Sequence, residues 1–175
     1  MVALNPGAKL KETLDSINMQ TCKNYEVIIK DGGSTDGALN KLEADGYFAD
    51  FPSVNIVRKP DKSIYDGMNQ ALSYVTGKYV EFLNCGDCFY EETVLEKVAD
   101  YITEAEKEAA NLQEFTPAIF YGNQFNRLQN SMVTSAPVIN DFTCYRNVPC
   151  HQVCFYSADL FKERSFHVAY TVRAD

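Results

Sequence analysis

Tyr25-Glu26-Val27-Ile28-Ile29-Lys30-Asp31-Gly32-Gly33-Ser34-Thr35-Asp36-Gly37 holds the decisive transition of this chain, from an apolar run into a glycine-rich polar loop. The near-continuous Val27-Ile28-Ile29 is the pattern of a strand buried on both faces, and residues 25–30 are read as that strand. The loop sets a carboxylate, a hydroxyl and two glycines just past the strand's end, where the backbone can approach a ligand closely. Leu39 and Leu42 then mark a short helical stretch, and residues 54–58 read as the next strand.

The same alternation extends in both directions. Upstream, Val2-Ala3-Leu4 reads as the tail of a short buried strand ended by the turn Asn5-Pro6-Gly7, and something is expected to be missing before it. Leu10, Leu14 and Ile17 predict an amphipathic helix over residues 8–20. Downstream, Ile64, Met68, Ala71, Leu72 and Val75 predict a helix over 64–75, closed by Gly77 before a strand at 79–83. Residues 91–108 read as a longer helix with Val94, Leu95, Val98, Tyr101 and Ile102 turned inward.

Four strand-then-helix alternations imply right-handed crossovers and an α/β fold with a mixed, mainly parallel sheet flanked by helices. Its ligand site is expected at the carboxyl ends of the strands. Beyond residue 115 the pattern changes: residues 118–121, 124–128 and 132–135 read as strands, with Asn130-Ser131 as a hairpin turn.

At 175 residues and 46% hydrophobic content the chain suits one domain, taken as residues 1–175. A net charge of −8 excludes the basic footprint that nucleic acid or anionic lipid requires. No stretch approaches the roughly 18 apolar residues of a membrane span, and the first residues lack a signal pattern, so a cytoplasmic location is expected. Six cysteines are too few for a disulfide scaffold and are read as reduced thiols.

Three loops offer chemistry. Asp31-Gly32-Gly33-Ser34 points into the expected crevice, although Ser34 or Asp36 can equally cap the following helix. Lys62, Asp66 and Asn69 open the 64–75 helix, where a charged start is usually a solvated cap. Asn84-Cys85-Gly86-Asp87-Cys88 is a polar tip delivered by a buried strand.

Taken in order, residues 28–37, the run Ser63-Ile64-Tyr65-Asp66-Gly67-Met68-Asn69-Gln70-Ala71, residues 77–84, His151-Gln152 and Ala174-Asp175 resemble the family 2 glycosyltransferases that build bacterial surface polysaccharides, over nearly the entire chain. The resemblance implies the GT-A version of the α/β fold and inverting transfer of a sugar from a nucleoside-diphosphate sugar, a UDP-sugar by family tendency. The acceptor it implies is a glycan or a lipid-linked saccharide, with the enzyme cytoplasmic or peripheral at the inner membrane face. By it Asp31, with Gly32 and Ser34, would bind the nucleotide base, and Asp66 and Asn69 would face the ribose-diphosphate end. Asn84 would stand in the Asp-x-Asp position, with Asp87 the remaining carboxylate for Mg²⁺ or Mn²⁺, since Asn84 and Gly86 replace the two expected acids. His151 would line the donor pocket. Asp175 would be the general base, in a chain expected to be truncated at its carboxyl end.

Two other classes compete. Cys85 and Cys88 form a Cys-x-x-Cys that zinc or thiol redox chemistry could use, and the degenerate metal loop fits a nucleotide-sugar-binding module without catalysis.

Overall fold

In the computed structural model, which describes residues 1–113, 117–146 and 149–170, a parallel sheet forms around β2 (Val27–Asp31). β1 (Val2–Ala3) and β3 (Val54–Arg58) flank it, in the order β1-β2-β3. All five β2 residues are buried, as the apolar run predicts. Alternation assigns Val27 and Ile29 to one face, packed with Leu10, Leu14 and Ile17 of α1 (Ala8–Asn18) and Leu39 and Leu42 of α2 (Ala38–Ala44). Ile28 lies on the other face with Val57, against Ala71 of α3 (Ile64–Leu72). Each helix covers the sheet with its apolar stripe.

The fourth strand takes a different partner from its neighbours. β4 (Tyr79–Glu81) does not extend the parallel ladder. It pairs antiparallel with β8 (Cys154–Ser157), which pairs antiparallel in turn with β5 (Ile119–Tyr121). Phe82, just past β4, is packed edge-on among Tyr156, Phe161 and Phe166, an aromatic cluster that draws the 154–166 segment onto this part of the chain. The expected hairpin is present as β6 (Gln124–Asn126) and β7 (Ser131–Val133), with Asn130 at φ 49 in the turn.

α4 (Val94–Asn111) is buried less than its pattern implied. Of the five positions expected inward only Ile102 is buried, and Tyr101 is 66% exposed with its edge on Phe120. A cavity of about 480 Å³ lies under the helix, lined by Leu95, Val98, Ile102, Val27 and the β4 residues. Two short helices, α5 (Asp141–Arg146) and α6 (Leu160–Glu163), complete the fold. No described helix is long and apolar enough to cross a membrane.

Glu81 lines that cavity, and its Oε1 is buried without a hydrogen-bond partner. Burial pushes its carboxyl up to about 8, against the pull of the Met1 ammonium, while Asp87 pushes it the same way as burial. The unfolded chain ionises near 4.5 and the folded one holds the proton to about 8, so the native state binds more protons between those values. Stability from this group therefore falls as pH rises through that window. Glu81→Gln should raise the thermal midpoint relative to the parent by an amount that grows from pH 5 to pH 8. A pH-independent difference would show that Glu81 is ionised throughout.

Candidate functional site

The β2 loop is built around one carboxylate. Asp31 is 5% exposed, and its Oδ1 accepts hydrogen bonds from Ser34 Oγ at 2.6 Å, Ser34 N at 2.9 Å and Gly33 N at 3.3 Å. Gly33 sits at φ 106, a conformation that side-chain-bearing residues rarely adopt. Among the described residues nothing donates to Asp31 Oδ2. Burial pushes the carboxyl pKa up, yet the Ser34 and Gly33 hydrogen bonds and the charge of Arg58 hold it below the usual carboxylate range. Arg58 is aligned with Asp31 in the β2–β3 register, and its guanidinium donates to Glu43 and Asn40.

Stitches to the end of β1 fix the loop. Asn5 N donates to Ser34 Oγ at 2.8 Å, Thr35 N to Asn5 Oδ1 at 2.7 Å, and Gly7 N to Asp36 Oδ2 at 2.7 Å. Asp36 Oδ1 also accepts from Ala38 N at 3.1 Å, so of the two capping candidates Asp36 serves the start of α2 while Ser34 serves Asp31.

At α3 the capping chemistry is complete. Ser63 Oγ accepts from Asp66 N at 3.2 Å, and Asp66 Oδ2 accepts from Lys62 N at 2.8 Å and Gln70 Nε2 at 3.3 Å. The Lys62 amide is the main cause of the lowered pKa of Asp66. Asn69 is engaged elsewhere: its Nδ2 donates to Phe166 O and its Oδ1 accepts from Phe166 N, both at 2.9 Å. It lines a separate cavity of about 310 Å³ with Leu72, Val80 and Phe161.

The loop after β4 is held by α1. Thr13 is fully buried; its Oγ1 accepts from Gly86 N at 2.7 Å and donates to Asn84 O at 3.4 Å. Cys85 Sγ donates to Val2 O at 3.7 Å, which sets this loop beside the end of β1 and hence near the Asp31 loop. Asn84, Asp87 and His151 come together here. Asn84 Nδ2 is 3.0 Å from His151 Nε2, and Gln152 Nε2 donates to Asp87 Oδ2 at 3.3 Å. Asn84 Oδ1 is buried without a partner.

An orphaned amide oxygen three residues from a carboxylate offers hard oxygen donors of the kind Mg²⁺ and Mn²⁺ take, with substrate phosphates completing the shell. Among the described residues no group of three or more His, Cys, Asp or Glu converges on one point. The Cys85 and Cys88 thiols are directed to separate carbonyls, Val2 and Glu12. Burial pushes the Cys85 thiol up to about 11, away from the thiolate that zinc or redox chemistry needs. Asp175 lies outside the described residues.

Sequence reasoning gave no role to Thr13, Lys30, Arg58 and Asp61, and quoted Gln152 only beside His151 as part of the family resemblance. Only Lys30 carried a signal, as a charge inside a strand that otherwise reads as fully buried.

The parallel sheet β1-β2-β3, with polar loops leaving β1, β2 and the separately paired β4, is consistent with the α/β fold of nucleotide-sugar transferases. Solved structures agree. The chain superposes on S. aureus TarS 1-349, crystallised with UDP, at a TM-score of 0.77 and 18% identity, covering 99% of this chain and 50% of that one. It also matches a mannosyltransferase from Pyrobaculum calidifontis in complex with GDP-Man and Mn2+, at a TM-score of 0.64 and 18% identity, covering 95% of this chain and 46% of the other. The model of glycosyl transferase family 2 matches residues 1–161, and the chain belongs to that family.

The PGL/p-HBAD biosynthesis glycosyltransferase of Mycobacterium bovis is 33% identical over 175 residues, 98% of this chain and 63% of the relative. An uncharacterized glycosyltransferase of Bacillus subtilis, YfnE, is 40% identical over 81 residues, 46% of this chain and 20% of the relative. The chain thus spans less than two thirds of the length of these relatives.

Thr13→Val keeps the shape of the side chain and leaves the Gly86 amide without its acceptor. It should cost about 1–3 kcal/mol of unfolding free energy in urea titration. A loss below about 0.5 kcal/mol would mean that another acceptor replaces Thr13.

Proposed function

We propose that this chain forms the donor-binding part of an inverting glycosyltransferase that takes a nucleoside-diphosphate sugar, with a UDP-sugar favoured. The observation that carries the reading is the Asp31 carboxylate: one oxygen saturated by its own loop, the other receiving no bond from any described residue. An ionised, pre-oriented acceptor of this kind suits the ring N–H groups of a uracil or guanine base. The UDP and GDP-Man complexes of the two structural relatives support a diphosphate donor.

Asp66 and the pair of Asn84 and His151 would then face the ribose and diphosphate. Asn84 Oδ1 and Asp87 would hold a Mg²⁺ or Mn²⁺ ion, which when bound offsets negative charge on the departing diphosphate. Asp175 is proposed as the base that accepts the proton of the acceptor hydroxyl. The acceptor oxygen bonds to the anomeric carbon from the face opposite the diphosphate, the sugar–phosphate bond breaks, and the nucleoside diphosphate leaves with that electron pair. One displacement inverts the anomeric centre, and a carboxylate on the attacking face also favours oxocarbenium-like charge. Residues 1–175 are taken as one domain, and a glycan or lipid-linked saccharide as the acceptor at the inner face of the membrane; the mycobacterial relative is named a PGL/p-HBAD biosynthesis glycosyltransferase.

Asn84 and Gly86 in place of two acids favour one second reading, a module that binds the donor without transferring it. Retained affinity with no transfer in a version extended past residue 175 would select that reading over catalysis.

Thermal unfolding with UDP, GDP, dTDP and ADP, each with and without Mn²⁺, tests the donor site. A ligand at about 100 times its dissociation constant stabilises the fold by about 2.7 kcal/mol. A metal-enhanced upward shift with UDP or GDP that Asp31→Ala removes is the expected result. No shift with any nucleotide from a cooperatively unfolding protein, or an Asp31→Ala variant with full affinity, would overturn the base pocket. Asp87→Ala should weaken binding in Mn²⁺ more than in its absence. Equal losses in both conditions would assign Asp87 to the fold alone.

A further inference from the structure

Lys30 lies within β2, one residue before Asp31, and it is 0% exposed. A buried ammonium is costly unless it is paired and hydrogen-bonded. Its Nζ donates to Asp61 Oδ2 at 2.7 Å, to the carbonyl oxygen of Lys59, and to the carbonyl oxygen of Asp31 at 3.3 Å. The Asp61 side chain is 13% exposed. It fills the space that glycines leave: a Cβ on Gly32 would stand 2.7 Å from Asp61 Oδ2, and one on Gly67 3.2 Å from the same atom. The pair therefore sits at the seam where the exits of β2 and β3 and the start of α3 meet.

As a source of stability, the arrangement is a poor choice. Replacing a buried ion pair by apolar residues of similar volume is often neutral or stabilising, so packing alone does not explain why this seam carries two charges. What the pair does that apolar residues cannot is connect two functional loops through directional bonds. Lys30 holds the main chain of Asp31 itself, and Asp61 precedes Lys62, whose amide donates to Asp66 Oδ2.

We propose that Lys30 and Asp61 are positioning residues for the donor site, a buried clamp that fixes the Asp31 loop relative to Asp66. This rests on the donor-site reading above. Gly32 belongs to the same device: its missing side chain is what admits the Asp61 carboxylate.

The experiment compares the parent with Lys30→Met, Asp61→Asn and the double variant. Lys30→Met strands an unpaired buried carboxylate and lowers the thermal midpoint. The double variant removes that charge and regains most of the loss, which keeps the test usable if the first variant fails to fold. Amide hydrogen exchange without ligand is the first readout. In the double variant the Gly33, Ser34 and Lys62 amides should exchange about tenfold faster or more, while those of α1 keep their parent rates. UDP affinity by calorimetry is the second, and should fall by about tenfold. Unchanged exchange at those three amides, or faster exchange with parent UDP affinity, would overturn the clamp. Absence of UDP binding in the parent protein would instead sink the donor-site reading, and the exchange rates would still decide whether the clamp fixes the loop.

Discussion

Buried backbone must be hydrogen-bonded, and the segment that follows β4 meets that constraint with side chains of α1 and of the turn that ends it. α1 carries two stripes. Leu10, Leu14 and Ile17 enter the core, Thr13 and Ser16 beside them are buried too, and so is Gln20 just past the end of the helix. Thr13 takes the Gly86 amide, Ser16 Oγ accepts from Phe89 N at 3.2 Å, and Gln20 accepts from Leu95 N at 3.0 Å while donating to Glu91 O at 2.9 Å. This polar stripe serves the chain as a neighbouring strand would, from the Asn84 loop to the start of α4. It is one of the supports of the loop that carries Asn84 and Asp87.

The site is therefore assembled from two kinds of support. The Asp31 side is held by the parallel ladder and by its own internal hydrogen bonds. The Asn84 side is held by α1 from below and by His151 and Gln152 from across the crevice, contributed by a 3-10 turn at His151–Val153 that leads into β8. The antiparallel pairing of β4 with β8 is what brings that turn over the β4 loop. A distant stretch of chain thus completes a site begun by consecutive strand-helix units.

Much of the first half was legible because its signals are local. The apolar run identified β2, expected at 25–30 and found at Val27–Asp31, and β3 has the expected limits, Val54–Arg58. α3 starts at Ile64 as expected and ends at Leu72, three residues early, where the chain turns toward Gly77. Pairing was harder to read, since the partner of β4 is set by contacts across more than seventy residues that no periodicity records. The site divides in the same way. Asp31, Asn84 and Asp87 stood out as polar residues just past buried strands, and His151 came only with the family resemblance. Thr13 and Asp61 carried no such mark, because their roles exist only once separate elements meet. α4 failed in the other direction: a helical apolar pattern gives no measure of how closely the helix approaches the sheet, and here a cavity remains between them.

The reciprocal bonds between Asn5, Ser34, Thr35, Gly7 and Asp36 tie the β1 and β2 loops into one unit before any ligand arrives. Their conformational entropy is lost during folding and not again on association. On the proposed function, a ligand entering over Asp31 would meet a surface that has little left to order, so encounter there would approach rigid docking, and its lifetime in the site would be governed by the contacts it makes rather than by loop closure.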